Sequence, residues 1–144
     1  MAVPAERREL ILQRAVELYG KSFWSNLKGL DYLTRRGITD PELLREHQVG
    51  LADGSLIKTV PKRGQLRDEL KAVGLITKRG HELFSGCVVF PTFQADGRIG
   101  TLYGRKLKDG EVVWEPGTTK SLNEKIVRPA SDPFQSTGGL KRLS

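Results

Sequence analysis

Cys87-Val88-Val89-Phe90-Pro91-Thr92-Phe93-Gln94-Ala95-Asp96-Gly97-Arg98-Ile99-Gly100-Thr101-Leu102-Tyr103-Gly104-Arg105-Lys106-Leu107 is the stretch from which the fold is read. Cys87 to Phe93 is rich in Val and Phe, side chains that suit a pleated, packed surface, and predicts a strand. Asp96-Gly97 predicts a hairpin turn, and Arg98 to Leu107, carrying Ile99, Leu102 and Tyr103, predicts the partner strand. Pro91 has no N–H to give to a ladder, so a kink or an edge is expected there. Asp109-Gly110 predicts a second turn and Glu111 to Trp114 a third strand. The stretch therefore predicts a small antiparallel sheet.

Toward the amino terminus the period changes to that of helices. Residues 5–19 predict a helix through Leu10, Ile11, Ala15, Val16 and Leu18, with Pro4 at its first turn and Gly20 as its stop. Asn26 to Arg36 predicts a second, with Leu27, Leu30 and Leu33 at three-residue steps, Tyr32 widening the stripe and Gly37 ending it. Thr39-Asp40-Pro41-Glu42 supplies a cap, a first-turn proline and a first-turn acid for a short helix through Leu43 and Leu44, forming a helical hairpin with the second. Val49 to Ala52 is expected to be extended, and Asp53-Gly54 to turn. A further helix is expected at about residues 64–73, with Leu66, Leu70 and Val73 on one face and Gly74 as its cap. The fold class is α+β: an amino-terminal helical cluster followed by a small antiparallel β-sheet. Residues 1–114 form one lobe, and residues 115–144, rich in Pro and hydroxyl side chains and without periodicity, are expected to be a loosely ordered tail.

Composition narrows the function classes. The chain has 144 residues and a formal charge of +7, from 24 Lys and Arg against 17 Asp and Glu. Residues 61–110 hold ten basic and five acidic side chains, so the excess concentrates in the middle third. Such a balance favours nucleic acid or another anionic surface as partner. The single cysteine, Cys87, excludes an internal disulfide and is expected to be a small buried hydrophobe. One Cys and two separated histidines, His47 and His81, do not make a structural zinc site, so no metal and no cofactor are expected. No stretch suits a membrane span or a signal-peptide core, and a cytoplasmic location is expected.

Three blocks carry a resemblance. Gly29-Leu30-Asp31-Tyr32-Leu33-Thr34-Arg35-Arg36-Gly37-Ile38-Thr39, continuing to Val49-Gly50-Leu51-Ala52, is the first. Leu70-Lys71-Ala72-Val73-Gly74-Leu75 is the second, and Val88 to Phe93 through Gly97-Arg98-Ile99-Gly100 to Tyr103-Gly104-Arg105-Lys106-Leu107 is the third. In this order and spacing they resemble the amino-terminal lobe of the bacterial DnaG-type DNA primase catalytic core, over about residues 26–107. The Tyr103-Gly104-Arg105 form is similar to primase-related proteins of mobile elements and to helicase–primase fusions.

The resemblance implies a template-binding wall that holds single-stranded DNA and the RNA–DNA hybrid during primer synthesis. The family's zinc ribbon precedes this lobe, and its catalytic TOPRIM domain follows it, with a Glu and an Asp-x-Asp pair for divalent metals. This chain carries neither, so no catalytic residue is expected in it, and a truncated or decayed carboxyl end is. A TOPRIM-containing primase partner or a replicative helicase is the further partner implied, and no membrane. The alternatives are a stand-alone single-stranded nucleic-acid-binding or partner-docking module from a mobile element, and an inactive relic.

The nucleic-acid candidates are Arg105, Arg98, Lys106, Arg63, Arg67 and Lys71. Arg98 and Arg105 flank one expected strand seven residues apart, which puts them on opposite faces unless a bulge intervenes. A strand arginine can hold a phosphate bidentately, or it can be a solvated strand-end charge. Arg63, Arg67 and Lys71 fall four apart and are expected to share a helix face, either solvated and paired with Glu69 or Asp68 or tracking phosphates. Arg35 and Arg36 are explained by the dipole of the helix they end. Phe23 and Trp24 are expected to pack rather than stack on bases, and His47 and His81 to be ordinary polar residues.

Overall fold

The computed structural model describes residues 3–115. Its elements are α1 (Ala5–Ser25), α2 (Lys28–Arg35), α3 (Pro41–Glu46), β1 (Gly50–Leu51), α4 (Ser55–Thr59), α5 (Gln65–Val73), β2 (Cys87–Phe93), β3 (Ile99–Lys106) and β4 (Val112–Trp114). The class is α+β, with the helices first and one antiparallel sheet of order β1-β2-β3-β4.

The sheet is covered on both faces, which explains why β2 reads as a continuous apolar run rather than an alternation. Cys87 and Val89 pack on one side with Ile11, Leu12, Ala15, Val16 and Tyr19 of α1 and with Leu70 and Val73 of α5. Val88 and Phe90 pack on the other with Phe23, Tyr32, Leu33, Leu44 and Tyr103. Phe90 and Tyr103 stack at 5.1 Å between ring centroids, and Trp114 tilts against Tyr103 at 5.0 Å. Trp24 meets Phe23 edge-on, as packing residues do.

Pro91 lies in regular register opposite Leu102. The Cys87 carbonyl accepts from the Ala52 N–H on the β1 side, and alternation turns Pro91 the same way. There β1 has already ended, because it pairs only with Val88 and Val89. The missing N–H thus faces a local edge, and β2 continues unbroken.

Two expectations are corrected. Gly20 does not stop α1, which runs on to Ser25. The last turns bury Ser22 and Phe23, and that burial offsets the roughly 1 kcal/mol that a mid-helix glycine costs. Arg63 does not belong to α5. Gly64, at φ 120°, precedes the first helical residue, Gln65.

α4 had no counterpart among the expected elements. Asp53 starts it by accepting from the Ser55 N–H at 3.1 Å and the Ser55 hydroxyl at 2.7 Å. Gly74, in the left-handed region at φ 86°, ends α5 as expected.

Glu115, the first residue of the expected tail, is 1% exposed. Its carboxylate accepts from the Arg8 guanidinium and, at 3.0 Å, from the Thr101 hydroxyl, so it ties the end of β4 to α1. Residues 116–144, the rest of that expected tail, lie outside the described residues. Cys87 is fully buried, and burial pushes its thiol up to about 11, so at neutral pH it behaves as an apolar filler. None of the described helices is long and apolar enough to cross a membrane.

Candidate nucleic-acid interface

The β3–β4 turn is where basic side chains converge. Arg105 stands next to last in β3, opposite Val88 on one side and Val112 on the other. Its Nη1 donates to the Gly110 carbonyl at 3.3 Å. The α carbon of Gly110 faces Arg36 and Tyr32 so closely that an added methyl group would lie 3.3 Å from Arg36 Nη2 and 3.4 Å from the Tyr32 hydroxyl. Arg36 reaches this place from the end of α2, with its guanidinium 5.0 Å from the centroid of the Tyr32 ring. Both guanidinium groups therefore lie close to Gly110, Arg105 at its carbonyl and Arg36 beside its α carbon.

A guanidinium suits a phosphate because its planar fork donates two parallel hydrogen bonds to the oxygens. Arg36 is exposed, whereas Arg105 is half-buried and already gives Nη1 to Gly110. The stack on Tyr32 holds the Arg36 fork without using its donors. Lys108 stands exposed in the same turn. The nearby Glu111 carboxylate is engaged by Lys106 at 3.6 Å.

The other candidates are placed differently. Arg98 precedes β3 at its opposite end, about 20 Å along the strand from Arg105. A bulge does intervene between them, because Thr92 pairs with Thr101 while Phe93 pairs with Ile99, leaving Gly100 extra. Arg98 is exposed but lies between two carboxylates, Asp96 at 3.4 Å and Glu9 at 3.6 Å. Lys106 follows Arg105 directly and so points to the other face.

The shared helix face expected for Arg63, Arg67 and Lys71 reduces to Arg67 and Lys71. Arg67 reaches the carbonyls of Pro61 and Gly80 at 3.4 and 3.5 Å, bracing two loops. Glu69 does not neutralise that face. It is buried and held bidentately by Arg7 of α1, at 2.8 and 2.9 Å, which keeps its carboxyl below the usual carboxylate range. Arg63 and Lys71 are exposed. Among the described residues no three His, Cys, Asp or Glu side chains cluster to hold a metal.

Arg36 is the residue that sequence reasoning left out. A helix-end arginine has a sufficient local explanation, and only the fold brings it to Gly110.

Residues 18–125 match the family described as the DNA primase catalytic core, N-terminal domain. The chain belongs to that family. This primase lobe is similar to the RNA polymerase domain of Mycobacterium tuberculosis primase DnaG, with a TM-score of 0.67 and 25% identity over 80% of this chain and 41% of that one. The same domain in complex with a double-stranded DNA oligomer carrying a 6-nucleotide overhang is matched with a TM-score of 0.66 and 25% identity, over 81% of this chain and 40% of that one. The primase lobe thus spans about two fifths of the length of these solved chains. A stretch of 37 residues is also 49% identical to part of phosphogluconate dehydratase of Pseudomonas aeruginosa, covering 26% of this chain and 6% of that enzyme. So small a share of the enzyme carries no functional argument.

Proposed function

We propose that this chain is a non-catalytic wall of a primase core, holding single-stranded template DNA and the RNA–DNA hybrid by their phosphates during primer synthesis in the cytoplasm. The observation that carries this reading is the convergence of Arg36 and Arg105 on Gly110. Backbone charge explains the type of grip: phosphate contacts set position and register, and carry no base information. Membership of the primase family and the relative bound to DNA with an overhang support it. The metal-dependent transfer itself belongs, in this reading, to a TOPRIM-containing partner, with a replicative helicase as the other partner.

The test is fluorescence anisotropy of a labelled single strand against salt. Each neutralised phosphate adds about −0.7 to the slope of log affinity on log salt, so two to four contacts weaken binding on the order of tenfold between about 50 and 200 mM. Arg105→Ala and Arg36→Ala each lower affinity for all sequences alike and make the slope shallower. Arg98→Ala, already neutralised by two carboxylates, changes little. Binding that ignores salt, or that survives the Arg36 and Arg105 changes together, would overturn the proposal and favour the docking-module reading.

A further inference from the structure

A groove of about 400 Å³ runs between α1, α4 and α5. Its floor and walls are aliphatic, with Leu18, Val60 and Leu70 among them. Leu10 on α1 and Leu66 on α5, 39% and 41% exposed, stand in its lining as two of the four exposed large hydrophobic side chains among the described residues. Leu66 and Arg7 also line a neighbouring depression with Pro4, Gln65 and Glu69. Exposed leucines collected in one concave strip cost solvation free energy, and mark a surface that something covers.

Charge selects the occupant. The only charged residues lining the groove are Arg7 and Arg14. Arg7 is occupied by Glu69, whereas Arg14 is exposed and has no ion pair among the described residues. The chain from Gly54 to Val73, which forms the far wall and the turn beside it, carries Lys58, Lys62, Arg63, Arg67 and Lys71 against Asp68 and Glu69, and Glu69 is held by Arg7. Glu17, the nearest α1 acid to Leu18, lines a different depression with Trp24 and Arg45. A second copy of a chain with charge +7 would meet repulsion. Residues 116–144 are themselves basic, with five Lys and Arg against Glu124 and Asp132.

We infer that this groove docks an amphipathic helix of another protein, with aliphatic side chains on the inserted face and Asp or Glu along its flanks. Leucine-type anchors at i, i+3, i+4 and i+7 fill a groove between helices, and flanking acids meet Arg14 and the basic α4–α5 wall. The lining shares no residue with the Arg36–Gly110–Arg105 turn, so a docked partner and a bound nucleic acid do not compete for the same side chains.

The test uses the full chain and three fluorescein-labelled probes. One is a designed helix of about 16 residues with leucines at that spacing and glutamates flanking them. The second replaces every glutamate with lysine, and the third is the peptide of residues 116–144. Anisotropy is expected to show the acidic probe binding and the lysine probe about tenfold weaker. Leu10→Ser with Leu66→Ser abolishes binding, while circular dichroism stays unchanged because both side chains are substantially exposed. Arg14→Glu reverses the preference between the two designed probes.

Equal binding of the two designed probes, or a preference that survives Arg14→Glu, overturns the inference. So does tighter binding of the 116–144 peptide, which would make the occupant the chain's own. A dimer seen by sedimentation and dissolved by the leucine changes would make it a second copy.

Discussion

Glu82 shows how a single side chain links this fold to pH. It is 7% exposed, and its Oε1 accepts from the Ile57 N–H of α4 at 3.4 Å. Burial raises its pKa most, with the charge of Asp53 adding to the rise, while the Ile57 N–H and the Tyr19 phenol oppose it. Because the folded value lies above the unfolded one, the protonated carboxyl favours folding. That contribution is fully present below the ordinary carboxylate range, about pH 4, and is lost as pH rises through the raised folded value. Glu82→Gln is therefore expected to melt a few degrees higher than the wild type at pH 7.5, with the gap closing toward pH 4. Thermal denaturation at a series of pH values checks it, and a gap that widens on acidification would show that the charge is favourable.

At the scale of elements, two glycines have opposite meanings. Gly50 of β1 lies under α1, where an added Cβ would be 2.4 Å from Tyr19 Cβ and 2.8 Å from the Tyr19 backbone carbon. Neither atom is the free end of a side chain, so α1 would have to move off the sheet. Gly50→Ala is expected to cost about 3 kcal/mol, the upper end of ordinary overpacking. Gly20 of α1 has nothing within 4 Å of the same position, and Gly20→Ala is expected to gain up to about 1 kcal/mol from helix propensity. Urea midpoints measured for both variants decide the matter, and changes of the same sign would refute this account of how α1 sits on β1.

For the whole molecule, α1 is the shared member. Ile11 to Tyr19 belong to the core on one side of the sheet, and Phe23, on the same helix, belongs to the core on the other. Arg8 adds a tie from α1 to Glu115 beyond β4, and Arg7 another to Glu69 of α5. Two cores joined by one helix and one sheet should unfold together. Trp24 and Trp114 both pack on the second side, so tryptophan fluorescence follows that core, whereas far-ultraviolet circular dichroism follows the helices, chiefly α1. The two urea transitions are expected to coincide, and a fluorescence transition clearly ahead of the helical one would show that the cores separate.

The α5 cap at Gly74, the hairpin at Asp96-Gly97 and the extent of β2 were legible because each depends on local chemistry: a left-handed glycine, a turn dipeptide, a run of β-formers. The primase resemblance was legible for the same reason, since it rests on residue types at fixed spacing. Gly20 misled because a local stop signal was outweighed by the burial of Phe23, a contact made with distant segments. Arg63 fell off the helix face because Gly64 intervenes with a backbone angle that no side-chain periodicity reveals.

Of the candidate interface, the residue types and the concentration of positive charge in residues 61–110 were in the chain itself. How the fold engages each arginine was not. Arg98 meets Glu9 and Asp96, Arg67 braces loop carbonyls, and Arg36 and Arg105 both lie close to Gly110. Local propensity and pattern act over a few residues and can be read along the chain. Pairing a charge, covering a groove or closing two guanidinium groups on one turn depends on distances between segments far apart in sequence, and the packed fold alone sets those.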